Sequence, residues 1–435
     1  MIYEIGEEVR KTVENKCDAY EIYIDEAKII ELDSLKDELN FAKEEIELGV
    51  GVRVIKDNKQ GFAFTSNMET LKETVLKAIE NTKLTKPDEN YAFAEVEKVS
   101  EVKKVYDKRF EDLSLDESVQ LLKNTIDVVI DSGCEVTGSG FSASAGKSLI
   151  LNSNGVSIEN EGTGFGLGIS VTIQKDGEIA TAYNSEGSRF LDIDGEKIAS
   201  EVCDLAKRSL DTKPIETGDY DVVLDYHAAT GLLSTFMDAF NGENVMRGRS
   251  ILKDKAGQEI TTPTLSIIDN PLLEKGMFTS KCDDEGSVSK KTNLIKDGVL
   301  NSFIYDIYTA NCEGVETTSN CLRGSYLSTP AISPTNLEFK FSEMRDLTEI
   351  DHGVLTTSVL GAHTANPISG DFSVEASNAF KIENGEISDP INKAMISGNI
   401  FEIMKSVEGI DSDIKQYGNY IIPKLLVHNL RVVGQ

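Results

Sequence analysis

What this sequence lacks first is any local grip for a metal. It holds only four histidines, His227, His352, His363 and His428, and no two stand four or five residues apart. No single helix can therefore offer a pair of imidazoles to zinc. Six cysteines (Cys17, Cys134, Cys203, Cys282, Cys312 and Cys321) are scattered without a C-x-x-C pair. That spacing fits free thiols in a reducing cytosol better than a disulfide framework. There is no G-x-S-x-G elbow, which argues against an α/β-hydrolase serine nucleophile. No apolar run reaches the ~18 residues that a spanning helix needs. The first residues, "MIYEIGEEVRKTVENK", carry charge from the third position and lack the apolar stretch of a secretory signal. A cytoplasmic protein with no membrane partner is the expectation. Cations are also short, with 44 Lys and Arg against 74 Asp and Glu and a net charge of -30. That balance repels phosphate backbones and disfavours direct nucleic-acid binding.

What is present is ample material for a folded core, 40% hydrophobic over 435 residues. Proline marks a division, because only Pro87 precedes residue 213 and eight follow it. We divide the chain at "LDTKPIETGDYD", into residues 1–212, with sub-parts 1–95 and 105–212, and residues 213–435. The first part opens with a helical stripe at Ile2, Ile5, Val9 and Val13, then a strand around Tyr20, Ile22 and Ile24. Leu48, Val50, Val52 and Val54 alternate up to "KDNKQG" as one arm of a hairpin. Leu71, Val75 and Ile79 mark a second helix. After a charged connector at 95–108, Ser114 and Glu117 form a capping box for a helix that turns Val119, Leu122, Ile126 and Val129 inward. Gly133 ends it, a hairpin turns at Asp176-Gly177, and Ile198, Val202 and Leu205 line another helix. Helix, strands, hairpin and helix thus occur twice, the outline of a pseudo-repeat. The second part reads as antiparallel strands with inserted helices near 227–240, 305–313 and 399–407, and with tight turns at Asp297-Gly298 and Asn384-Gly385. The whole is an α+β chain of two domains.

Motifs that would carry chemistry mostly fail on spacing. "SAGKSL" at 144–149 lacks the glycine a phosphate loop needs and runs into a strand. "GTGFGLG" at 162–168 runs into the alternating "ISVTI" and reads as a strand of small residues. "KCDDEG" at 281–286 clusters Cys282, Asp283, Asp284 and Glu285, either as metal ligands or, as expected more often, as a solvated acidic loop. "LDYHAATGLLSTFMDAFNGEN" at 224–244 is a strand entering an amphipathic helix, with Leu232, Leu233, Phe236, Met237 and Phe240 on its stripe.

Three long stretches nevertheless resemble one family. "VGVRVIKDNKQGFAFTSN" looks like its N-terminal hairpin and "DDEGSVSKKTNLIKDGVLNSFIYDIYTA" like its central segment. "ANPISGDFSVEASNAFKIENGEISDPINKAMISGN" is similar to its most distinctive run. They occur in the right order and resemble the TldD/PmbA family, in its PmbA (TldE) branch, which is also named as a modulator of DNA gyrase. The resemblance implies a peptidase subunit acting on unfolded or short peptides held as extended strands. In the TldD branch the helix matching residues 232–240 carries His-Glu-x-x-x-His, with a later cysteine as third zinc ligand. The matching positions here are Ser234, Thr235 and Ala239, and "DIKQYGNYIIPK" holds no cysteine. The expectation is no cofactor in this chain, zinc in a TldD-like partner subunit, and a homodimer when the chain is alone. Two alternatives stand beside it. One is a stand-alone homodimeric hydrolase using His227, Asp284 and Glu285 in a substrate cleft, and the other is a non-hydrolytic peptide-binding scaffold. For the thiols the expectation is direct: denatured, non-reduced protein, guarded from oxidation after lysis, should titrate six free thiols, and fewer would contradict it.

Overall fold

The amphipathic stripes of the first part all find one sheet. The computed structural model describes residues 1–434. Six antiparallel strands lie in the order Lys59–Thr65, Glu38–Lys56, Ala19–Leu35, Glu135–Asn152, Ser157–Lys175 and Glu178–Ser188. This is the order of two three-stranded meanders, joined where Ala19–Leu35 pairs with Glu135–Asn152. Each meander carries its own helices on one face. Ile2–Val13 and Leu71–Asn81 bury Ile5, Val9 and Val75 against Ile22, Ile24 and Val52. Leu115–Asp131 and Gly195–Arg208 bury Leu122, Ile126, Ile198 and Val202 against Phe165, Leu167 and Ile169.

The local chemistry behaves as its residue types dictate. Glu117 N–H donates to Ser114 Oγ at 3.2 Å, and Ser114 N–H donates to the Glu117 carboxylate at 2.9 Å, closing the capping box. Asp176 and Gly177 take φ of 51° and 89°, the left-handed pair that a two-residue hairpin requires. The phosphate-loop candidate lies inside the strand Glu135–Asn152, and the glycine-spaced run lies inside Ser157–Lys175. On these two strands phenylalanine, leucine and alanine face the helices, while Gly140, Ser142, Ser144, Gly164, Gly166 and Gly168 face away from them.

The second part forms a twelve-stranded sheet. Most of its pairings are antiparallel, but three are parallel: Leu337–Phe341 with Tyr420–Gly434, Met344–Arg345 with Glu408–Tyr417, and His352–Leu360 with Gly218–Leu224. The sheet is therefore mixed where a purely antiparallel one was expected. Alternation along a strand fixes which side chains face the core, but not the direction of a neighbour a hundred residues away. Gly218–Leu224 feeds directly into the helix Tyr226–Asp238, whose Leu232, Leu233, Phe236 and Met237 sink into the largest apolar cluster. The Phe236 ring meets Phe240 at 5.3 Å and Phe401 at 5.8 Å.

The two parts meet through a buried set of charges. Arg53, on the strand Glu38–Lys56, donates to Glu21 at 2.5 Å and to Glu285 at 3.1 Å. Arg323 pairs with the other oxygen of Glu21, and its backbone N–H donates to Asp284 Oδ2 at 2.7 Å. Glu285 also accepts the Ile307 N–H at 2.9 Å. Asp283 accepts the backbone N–H groups of Glu285 and Ser287 through one oxygen, and its other oxygen is buried without a partner. The acidic loop is thus not solvated: Asp283 and Glu285 are 3% and 2% exposed. Beside this network Tyr326 lies flat on Gly49, where a Cβ would collide with its ring.

Two predictions follow from these buried groups. Arg53→Met leaves carboxylates without their counter-charge in the interior, and should cost about 3–5 kcal/mol of stability by urea unfolding. A loss under about 1 kcal/mol would mean that the network carries little of the junction. Burial pushes the carboxyls of Asp284 and Asp269 up to about 6, and raises those of Asp283 and Glu285 as well. The folded chain thus holds protons more tightly than the unfolded one, so these groups contribute stability that falls as pH rises from about 4 to about 6. The thermal midpoint should be several degrees higher at about pH 5 than at about pH 7. Asp284→Asn should shrink that difference.

Candidate functional site

Where the open edge of the first sheet approaches the second, a cleft forms. Its first wall is Glu178–Ser188, the last strand of the six, with the helix Gly195–Arg208 behind it. Its second wall is Glu408–Tyr417. The pairing of that strand with Tyr420–Gly434 slips between Ile410 and Lys415, and Asp411 takes a left-handed φ of 57°. Residues 411–414 are thereby released from the ladder. The floor is the first turn of the helix Tyr226–Asp238. Two adjoining cavities of about 410 and 420 Å³ make up the cleft and share Asn184, Glu201, Lys415 and Tyr417.

His227 sits at the centre of the inner cavity. Its ring meets Tyr417 edge-on at 4.3 Å and Tyr183 at 5.8 Å, and its Nε2 is buried without a hydrogen-bond partner. Burial lowers its pKa, so the imidazole is neutral. Asp225 caps the helix, accepting the Tyr226 N–H at 2.8 Å. Tyr226 stacks on Tyr417 at 5.7 Å and donates its hydroxyl to Asp413 at 3.0 Å. Burial and that carboxylate push the Tyr226 hydroxyl well above its usual range, which keeps the proton on the phenol. The Lys415 ammonium lies 4.9 Å from the Tyr226 ring centre. The Thr230 hydroxyl reaches only the His227 backbone carbonyl, at 3.3 Å, and among the described residues no hydroxyl or thiol is hydrogen-bonded to the His227 ring, so the cleft holds no nucleophile–base pair of the serine or cysteine type. The open edge of Glu178–Ser188, over an aromatic floor and facing the bulged stretch 411–414, suits an extended chain that pairs through its backbone.

The other residues singled out from the sequence lie elsewhere. Asp284 and Glu285 belong to the ion network at the junction of the two parts, and neither lines the His227 cavity. Ser234 is exposed, with its hydroxyl turned back to the Gly231 carbonyl at 2.8 Å. Thr235 and Ala239 share the buried side of the helix, at 7% and 1% exposure, and the Ala239 carbonyl accepts the Ser250 hydroxyl. One inward-bonded hydroxyl, one buried threonine and one methyl do not suit zinc, which takes imidazole, thiolate or carboxylate donors. Among the described residues, Glu285, Asp306 and Cys321 bring ligand-type atoms within 4.8 Å of one another. Glu285 is already engaged by Arg53 and the Ile307 N–H, and Asp306 caps the helix Ile307–Glu313. Sequence reasoning missed Tyr183; Asp413, Lys415 and Tyr417 fall in "DIKQYGNYIIPK", singled out only as a segment without the family's cysteine and not for these side chains. They come from strands whose pattern announces only alternation, and nothing local pairs them with His227.

Comparison with known proteins places the whole chain. Residues 20–82, 108–210 and 217–434 match, in turn, domain 1, the central domain and the C-terminal domain of the PmbA/TldA metallopeptidases. An uncharacterized protein of Methanocaldococcus jannaschii is 39% identical over 382 residues, 88% of each chain. The metalloprotease PmbA of Escherichia coli O157:H7 is 24% identical, covering 97% of this chain and 93% of its own. The crystal structure of TldE from Thermococcus kodakarensis superposes with a TM-score of 0.93 at 25% identity, covering 99% of this chain and all of its own. With its three segments matched in order and its fold shared from end to end, this chain belongs to the PmbA/TldD metallopeptidase family.

Proposed function

We propose that this chain is a PmbA-type subunit of an intracellular TldD/PmbA metallopeptidase that acts on short or unfolded peptides. In this reading it holds no zinc of its own. The observation that carries it is the helix Tyr226–Asp238, kept whole with its apolar stripe in the core, yet bearing Ser234, Thr235 and, at its C-cap, Ala239 where the resemblance would put His-Glu-x-x-x-His. The scaffold of the site persists without its donors. A TldD-like partner subunit then supplies the zinc, the base and the polarised water. This chain contributes walls: the open edge of Glu178–Ser188, along which a peptide of any sequence can pair through its backbone, and facing it the stretch 411–417 beyond the pairing with Met344–Arg345. The net charge of -30 favours an action on proteins or peptides over contact with DNA. Alone, the chain closes its unused interface on a second copy, and a two-fold dimer is the simplest closed form.

The test is reconstitution. Purified alone, the chain should carry no stoichiometric zinc by elemental analysis and should not cleave an unstructured fluorogenic peptide. Mixed with a TldD-like chain carrying His-Glu-x-x-x-His, it should form a stable complex whose cleavage a chelator abolishes. Zinc bound by the single chain through residues 234–239 would overturn the proposal, as would chelator-sensitive cleavage without the partner.

A further inference from the structure

The charges around His227 are unevenly satisfied. The acids of the inner cavity are spoken for. Asp225 accepts the Tyr226 N–H at 2.8 Å, Asp413 accepts the Tyr226 hydroxyl at 3.0 Å and lies 4.0 Å from Lys415, and Glu201 accepts Asn184 Nδ2 at 3.3 Å. Two of the cations are not. The Arg208 guanidinium rests 4.9 Å from the Phe380 ring centre, and the Lys424 ammonium 6.0 Å from that of Tyr226. Neither reaches a carboxylate among the described residues. Arg208 is exposed, Lys424 is half-buried and His227 Nε2 is buried and unpartnered, and all three residues line the one cavity. A buried donor without an acceptor is costly, which an anion accepting from Nε2 relieves, and the two unpaired cations on the same cavity supply its counter-charge.

We infer that the His227 cavity binds the C-terminal carboxylate of a peptide, with Arg208, Lys424 and His227 as its donors. A neutral imidazole with its proton on Nε2 donates to one carboxylate oxygen, and the two side-chain cations neutralise the charge. A polyanion fits poorly, because Asp225 already caps the helix N-terminus and there is no glycine-rich loop to wrap a phosphate. The rings of Tyr183 and Tyr417 flank His227 and offer contact to an apolar or aromatic last side chain. Preceding residues then run along the open edge of Glu178–Ser188, where Asn184 and Tyr183 already line the cavity. This deepens the reading of the same cleft: a peptide enters end first, and the end is recognised by charge.

Isothermal titration of the purified chain tests this with three probes. They are an N-acetylated tetrapeptide of three alanines and a C-terminal phenylalanine as the free acid, the same peptide as its C-terminal amide, and N-acetylphenylalanine. The free acid should bind at least about tenfold more tightly than the amide, as the loss of one charge-assisted contact demands. It should also exceed N-acetylphenylalanine by a similar factor, which separates a peptide end from a small carboxylate. Arg208→Met and Lys424→Met should each weaken the acid about tenfold while the thermal midpoint stays unchanged. His227→Phe, which keeps the ring contact with Tyr417, should do the same. No binding of the acid, equal binding of acid and amide, equal binding of N-acetylphenylalanine, or full affinity in all three variants would each overturn the assignment. Since the titration needs no zinc subunit and reads no cleavage, it can fail while the peptidase reading stands, and the reverse.

Discussion

Everything about the cleft depends on how the two parts of the chain are held together, and a buried ion network holds them. Glu21 and Arg53 lie on neighbouring strands of the first sheet, and Asp284, Glu285 and Arg323 lie on loops of the second part. Removing such charges from water is expensive, and apolar side chains of the same volume could stabilise the junction as well or better. What the charges add is register. Arg53 bridges two carboxylates that are far apart in sequence, and Arg323 takes the remaining oxygen of one of them. A slip of one residue between the two parts would strand a carboxylate in the interior. An apolar interface has no comparable penalty, so greasy surfaces can slide where these cannot.

Fixing that register also fixes the distance between the two walls of the cleft. Glu178–Ser188 belongs to the first sheet and Glu408–Tyr417 to the second, and neither would define a cleft by itself. The helix Tyr226–Asp238 closes the floor between them. Its later turns sink Leu232, Leu233, Phe236 and Met237 into the core, while its first turn reaches the cleft with Tyr226 and His227. One helix therefore serves both packing and recognition, with the boundary between the two roles at about Thr230.

The sequence announces what local rules decide. The capping box at Ser114, the turn at Asp176-Gly177 and the stripe Leu232, Leu233, Phe236 and Met237 each need only a few neighbouring residues to be read. The network does not work that way. Arg53 sits inside "VGVRV" as one more alternating position, and "KCDDEG" reads as an exposed acidic loop, because the partners that bury both lie 232 and 302 residues away from Arg53 and Glu21. The site was legible in the same proportion. His227 stands out as a lone histidine before a helix. The tyrosines and cations that give it meaning arrive from strands and a helix end in both parts of the chain. The parallel pairings of the second sheet were hidden for the same reason.

The symmetry of the first sheet has a kinetic side. Each meander takes its strands from one continuous stretch and packs its own helices over an apolar cluster to which the other lends only a few side chains, Leu149 and Leu151 to the first, Ile30 and Leu32 to the second. Its contacts are short-range in sequence, and such units form quickly. Joining the two is different, since Ala19–Leu35 must find Glu135–Asn152 along a register of fifteen residue pairs, across more than a hundred intervening positions. Closing a loop over that span costs more chain entropy than closing either meander. Until it is complete, two long strand edges stand open in the same solution. A ribosome that releases the first meander well before the second therefore leaves an exposed edge in need of cover.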